Sequence, residues 1–122
     1  MKTVALIMKR RAVAQLLTER LAEEEVCARG VFDYARAAQA VLSADAALIE
    51  AGEDGAYTAD ACLALCAKLH AAAPGCRLLL LCPEGDAAGV RLAAQAARDG
   101  TIQDFVFYNA STEYLVSKIL AL

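Results

Sequence analysis

Three stretches of the chain, "AALIEA" at 46–51, "RLLLLC" at 77–82 and "DFVFYN" at 104–109, are short and nearly continuous apolar runs. A run of that length that is apolar on both alternating sides suits a strand covered on both faces, as in a parallel sheet. Two further runs, "TVALIM" at 3–8 and "EVCARGV" at 25–31, extend the set. Between the runs lie stretches with helical spacing at 10–24, 34–43, 58–72, 86–98 and 111–121. This strict alternation predicts a (βα)5 α/β domain with an open, doubly wound, parallel five-stranded sheet.

The helix boundaries carry their own signals. Asp33, Thr58 and Ser111 each stand before a helical stretch, and Glu113 falls in the first turn of the last one, where the helix dipole favours a negative charge. "APG" at 73–75 and "DG" at 99–100 close the third and fourth helices. The chain has 122 residues, enough for one core and too few for two. One domain over 1–122 is expected.

Composition excludes several classes. Hydrophobic residues make up 59% of the chain, yet no apolar segment approaches the ~20 residues of a membrane span. "MKTVALIMKRR" lacks the apolar core and cleavage site of a secretory signal, so a cytoplasmic protein with no membrane partner is expected. A net charge of −3 gives the domain no overall electrostatic footprint for nucleic acid. Five cysteines without paired spacing suggest reduced thiols rather than a zinc ribbon.

In open parallel sheets, functional groups gather at the carboxyl ends of the strands. That rule selects Met8, Lys9, Glu50, Ala51, Cys82, Tyr108 and Asn109. Cys62, Cys66 and His70 recur every four residues on one helical face, but i and i+8 are ~12 Å apart along the axis, so the three cannot share one ion. A packing stripe explains them better, and no metal site is expected. His70 is the sole histidine, with no nucleophile in a recognisable motif near it. No phosphate-binding glycine motif follows a strand, so no cofactor is expected. Lys9, Arg10 and Arg11 could draw an anion to the first helix, although a solvated basic turn is the commoner explanation.

The chain resembles the receiver domain of two-component response regulators over essentially its whole length. "SADAALIE" is similar to the family's approach to its phosphoacceptor aspartate, "DGTIQDFVFYNASTEYLVSKI" to its ending, and "RGVFDYARAAQAVL" to its second helix. The resemblance implies a CheY-like, flavodoxin-like fold with strand order 2-1-3-4-5. It also places the family's functional positions. The acidic pair falls on Met8 and Lys9, the acceptor on Glu50, the Thr/Ser on Cys82, the switch aromatic on Phe105, the lysine on Tyr108 and the following proline on Asn109.

Receiver phosphorylation needs Mg²⁺, which demands hard oxygen ligands. A thioether at 8 and a cation at 9 do not supply them. The resemblance therefore implies a degenerate receiver, or pseudo-receiver, that is not an enzyme and is not phosphorylated in the usual way. Glu50 then reads either as a solvated strand end or as a fixed charge paired with Lys9. Coupling of Cys82 to Phe105 stands against plain core packing. The resemblance also implies that 1–122 is the N-terminal part of a longer regulator, and its implied partners are an appended output domain or another protein, with a homodimer through the fourth helix, fifth strand and fifth helix. The competing class is a receiver that still accepts phosphate near Glu50, or a small domain that binds an anionic metabolite at "KRR".

Overall fold

A computed structural model describes all 122 residues. In chain order the elements are β1 (Thr3–Ile7), α1 (Arg11–Glu23), β2 (Cys27–Val31), a 3₁₀ turn at Tyr34–Arg36, α2 (Ala37–Val41), β3 (Ala46–Glu50), α3 (Ala59–Ala72), β4 (Arg77–Cys82), α4 (Ala87–Arg98), β5 (Asp104–Phe107) and α5 (Thr112–Leu120). All strand pairs are parallel and the order is β2-β1-β3-β4-β5, as the alternation and the resemblance predict. No helix is long and apolar enough to cross a membrane.

The two faces of the sheet build two cores. Val4, Leu6 and Met8 of the first strand segment, with Ala46 and Leu48 of β3, pack under α1 and α5 against Leu17, Leu21, Leu115 and Ile119. Their sequence neighbours Ala5, Ile7, Ala47 and Ile49 pack on the opposite side with Tyr34, Cys62, Cys66 and Leu69. Period-two alternation in strands that are apolar throughout thus fills both layers. Cys62 and Cys66 are fully buried in the second layer, which makes the cysteine column a packing stripe. His70 lies half-buried at the helix end.

Among the boundaries that differ from the sequence reading, three have a clear local reason. β2 begins at Cys27 rather than 25, because the N–H groups of Glu24, Glu25 and Val26 all turn back to α1 carbonyls. The second helical stretch opens as a 3₁₀ turn because the Asp33 carboxylate accepts from Ala35 N and its carbonyl from Arg36 N. β5 ends at Phe107, although Tyr108 N still donates to Cys82 O at 3.1 Å, since Ala110 N then closes a turn onto Phe107 O. Ser111 caps α5 by accepting from Tyr114 N at 3.1 Å. Thr58 occupies the cap position of α3 without a capping bond from its side chain.

Candidate functional site

β1 and β3 lie side by side at the centre of the sheet, so their carboxyl ends meet beneath the start of α1. Side chains 46, 48 and 50 share the face that α1 covers, which aims Glu50 at the α1 N-terminus. Glu50 is the only buried charged residue of the chain, with 2% of its surface exposed.

Both oxygens of that carboxylate hold donors. Oε1 accepts from Lys9 N at 2.8 Å and from Arg10 N at 3.1 Å. Oε2 accepts from the Arg10 guanidinium Nε in an ion pair. A negative charge at a helix N-terminus, met by backbone N–H groups and a cation, is stabilised three ways at once. Glu50 is therefore not a solvated strand end.

Nor is Lys9 its side-chain partner. Lys9 contributes its backbone N–H, while its ammonium sits 5.6 Å from the centre of the Tyr57 ring. The pairing cation is Arg10, whose guanidinium also lies 4.5 Å from the centre of the Tyr108 ring. A guanidinium can do both at once, since its edge donates to oxygen while its face stacks on an aromatic ring.

Tyr108, at the position where the resemblance puts a lysine, donates its hydroxyl to Ala51 O, the residue after Glu50. Tyr34 donates to Glu50 O at 2.5 Å, and Cys62 Sγ lies 3.7 Å from the same oxygen. Tyr34 and Tyr57 stack with centroids 4.2 Å apart. Burial first, then the neighbouring thiol and carboxylate, raise the Tyr34 hydroxyl well above the usual phenol range. Tyr108 is pushed up to about 12, chiefly by burial and next by Glu50. Both phenols therefore stay protonated donors. The end of β3 is a closed knot of Glu50, Arg10 and three tyrosines.

The other predicted positions do not join it. Met8 is fully buried in the α1/α5 layer and offers only a thioether there. Cys82 is buried, and its thiol is pushed up to about 11, mainly by burial and then by Asp86 and Glu84. Across the β4/β5 ladder it faces Phe107, whereas Phe105 faces Leu80. Phe105 packs half-buried against the α3/α4 layer and meets Phe107 edge-on at 5.8 Å. Asn109 follows in the β5–α5 turn with no cis peptide bond. Glu53 and Asp54 lie exposed in the loop after β3.

A Mg²⁺ ion, which the receiver resemblance would imply, does not fit these residues. Position 8 offers a buried thioether, position 9 a cation, and both Glu50 oxygens already hold donors. No group of three or more His, Cys, Asp or Glu side chains converges on a metal-sized space.

The sequence matches no protein-family model and no curated protein. Solved structures do match. The chain is similar to a protein described as belonging to a family of streptococcal redox sensors evolved from two-component response regulators, at TM-score 0.78 and 20% identity, covering 99% of this chain and 50% of that one. The fold is a receiver fold. A CheY-like response regulator receiver domain from Methanospirillum hungatei gives TM-score 0.79 at 11% identity, covering 99% of this chain and 92% of that one. A chain described as an adenylate cyclase from Rhodopirellula baltica gives TM-score 0.80 at 13% identity, covering 98% and 85%. This receiver-fold chain thus spans half of the streptococcal protein. Of the knot residues, Arg10, Tyr34 and Tyr57 carried no signal in the sequence beyond being basic or aromatic near a strand end or turn.

Proposed function

We propose that this receiver-fold chain is a pseudo-receiver: a signalling domain that works through protein contacts and is not switched by aspartyl-type phosphorylation. The observation that carries the reading is the carboxylate of Glu50, both of whose oxygens are already held by donors. A phosphoacceptor must present a free oxygen to an incoming phosphorus, with a metal beside it to neutralise charge. Here the N-terminus of α1 and the Arg10 guanidinium hold both oxygens, and Tyr108 fills the place of the lysine. Glu50 and Arg10 form an ion pair at the position where the resemblance puts the phosphoacceptor.

The same geometry weighs against the competing readings. Lys9, Arg10 and Arg11 diverge onto Tyr57, Tyr108 and Phe32 respectively, so "KRR" does not form one anion cradle. Four of the five thiols are buried with raised pKa values, which suits packing rather than nucleophilic chemistry. We read the chain as a non-enzymatic, cytoplasmic domain that controls an attached output domain or a separate protein.

Two measurements test the reading. Incubation with acetyl phosphate and Mg²⁺, followed by intact mass, is expected to give no phosphoryl adduct, and beryllofluoride with Mg²⁺ is expected to leave the NMR resonances of Glu50 and Arg10 in place. A stoichiometric adduct would sink the pseudo-receiver. We also propose self-association through α4, β5 and α5, where Leu92 and Tyr114 are among the exposed large hydrophobic side chains. Light scattering is expected to show a concentration-dependent dimer that the Leu92→Glu/Tyr114→Glu variant loses. A strict monomer at the highest accessible concentration would remove that interface from the proposal.

A further inference from the structure

β2 is the outermost strand on one side of the sheet, and its outer edge is bare. The hydrogen bonds Cys27 N to Lys2 O and Met8 N to Val31 O fix the phase of the ladder. Residues 27, 29 and 31 therefore bond inward to β1, and the backbone groups of Ala28 and Gly30 point outward. No other element pairs with them.

Three guanidinium-bearing residues from three elements line this edge. A groove of about 690 Å³ runs along it, with Arg11 of α1, Arg29 of β2 and Arg36 of the 3₁₀ turn in its walls. Arg29 reaches across toward Ser43 Oγ at 3.5 Å. Asp33, the one acid in the lining, pairs with Arg36 at 3.9 Å, which leaves Arg11 and Arg29 without an acidic partner there. Arg11 is held in place by a stack, its guanidinium 4.1 Å from the centre of the Phe32 ring. That ring in turn lies over Gly30, where an added Cβ would meet it at 2.5 Å. One edge cation would suffice to deter strand-to-strand aggregation. Three around an open strand, in a chain whose net charge is −3, form a local basic site.

We propose that the β2 edge binds an extended, acidic segment of a partner protein by strand addition. An added strand would satisfy the outward N–H and C=O of Gly30, and its alternate side chains would face the α2 side, where Arg29 and Arg36 stand. Glutamate or aspartate at every second position would put the acidic side chains on that one face. A second copy of this chain is a poor occupant, because pairing two β2 edges would bring one set of arginines against another. Nucleic acid is disfavoured by the overall negative charge and gains nothing from the free strand backbone.

The test uses the 122-residue protein, labelled with ¹⁵N, and a capped peptide that alternates glutamate with valine. The expected result is salt-sensitive shifts at the Ala28, Gly30 and Phe32 amides, with hydrogen exchange at Gly30 slowed about tenfold on saturation. The Arg29→Glu/Arg36→Glu variant, altered only at exposed side chains, is expected to bind at least about tenfold more weakly while keeping its circular dichroism spectrum. The peptide with lysine in place of glutamate is expected not to bind. Three results would each overturn the proposal: no shifts with the acidic peptide, shifts without Gly30 protection, or tighter binding of an oligothymidine or of pyrophosphate at the same residues.

Discussion

Arg10→Ala is expected to destabilise the protein by about 2–3 kcal/mol, although Arg10 is a partly exposed residue at a helix start. The reason lies in what it leaves behind. The Arg10 side chain keeps 44% of its surface in water and Glu50 only 3%, so removing the cation strands a charge that solvent reaches poorly. Breaking a buried pair from one side typically costs ~3–5 kcal/mol, and the two backbone N–H groups that remain on Oε1 lower that figure. Neutralising the carboxylate in the same background should recover part of the loss, so the Arg10→Ala/Glu50→Gln double variant is expected to be more stable than Arg10→Ala alone. Urea denaturation of the wild type, both single variants and the double variant measures the coupling. A loss below about 0.5 kcal/mol for Arg10→Ala would mean that the pair behaves as a surface ion pair.

The fold could be read because its signal is redundant. Five runs alternate with five helical stretches, and three of the runs alone demand cover on both faces. The strand order added little to that reading beyond the resemblance. The site was harder to read because sequence position fixes where a residue stands, not where a long side chain goes. Lys9 and Arg10 are neighbours at the start of α1, and either could reach the end of β3. The helix geometry sends Lys9 toward Tyr57 and lays Arg10 between Glu50 and Tyr108. A charge at position 50 was legible, whereas its contacts with the α1 N-terminus and with an Arg10 stacked on Tyr108 were not.

Net charge likewise averaged away the basic groove at β2. Arg11, Arg29 and Arg36 are far apart in sequence and interspersed with acids, and only the adjacency of α1, β2 and the 3₁₀ turn gathers them. The two surfaces lie on different parts of the sheet, the knot at its centre and the groove at its β2 edge.

Raising the pH from about 7.5 to about 10 is expected to lower the unfolding free energy by on the order of 4 kcal/mol. Burial pushes Cys62 and Cys66 up to about 12 and Cys76 and Cys82 up to about 11, from an ordinary thiol value of 9.0. Each group has a folded pKa above its unfolded one. Its contribution is therefore fully present below the unfolded value and is lost as pH rises toward the folded value, because the unfolded chain releases protons that the native core retains. At about pH 10 each thiol costs ~1 kcal/mol or slightly more. Lys118, raised mainly by its hydrogen bond to Asp104, acts in the same direction only at still higher pH, and its surface position keeps that effect small. Chemical denaturation at the two pH values under reducing conditions measures the drop. Cys76→Ala is expected to shrink it by ~1 kcal/mol whatever that variant costs at neutral pH. Stability that stays level to about pH 10 would mean that the thiols ionise inside the fold, and that the α3 stripe is open to water rather than packed.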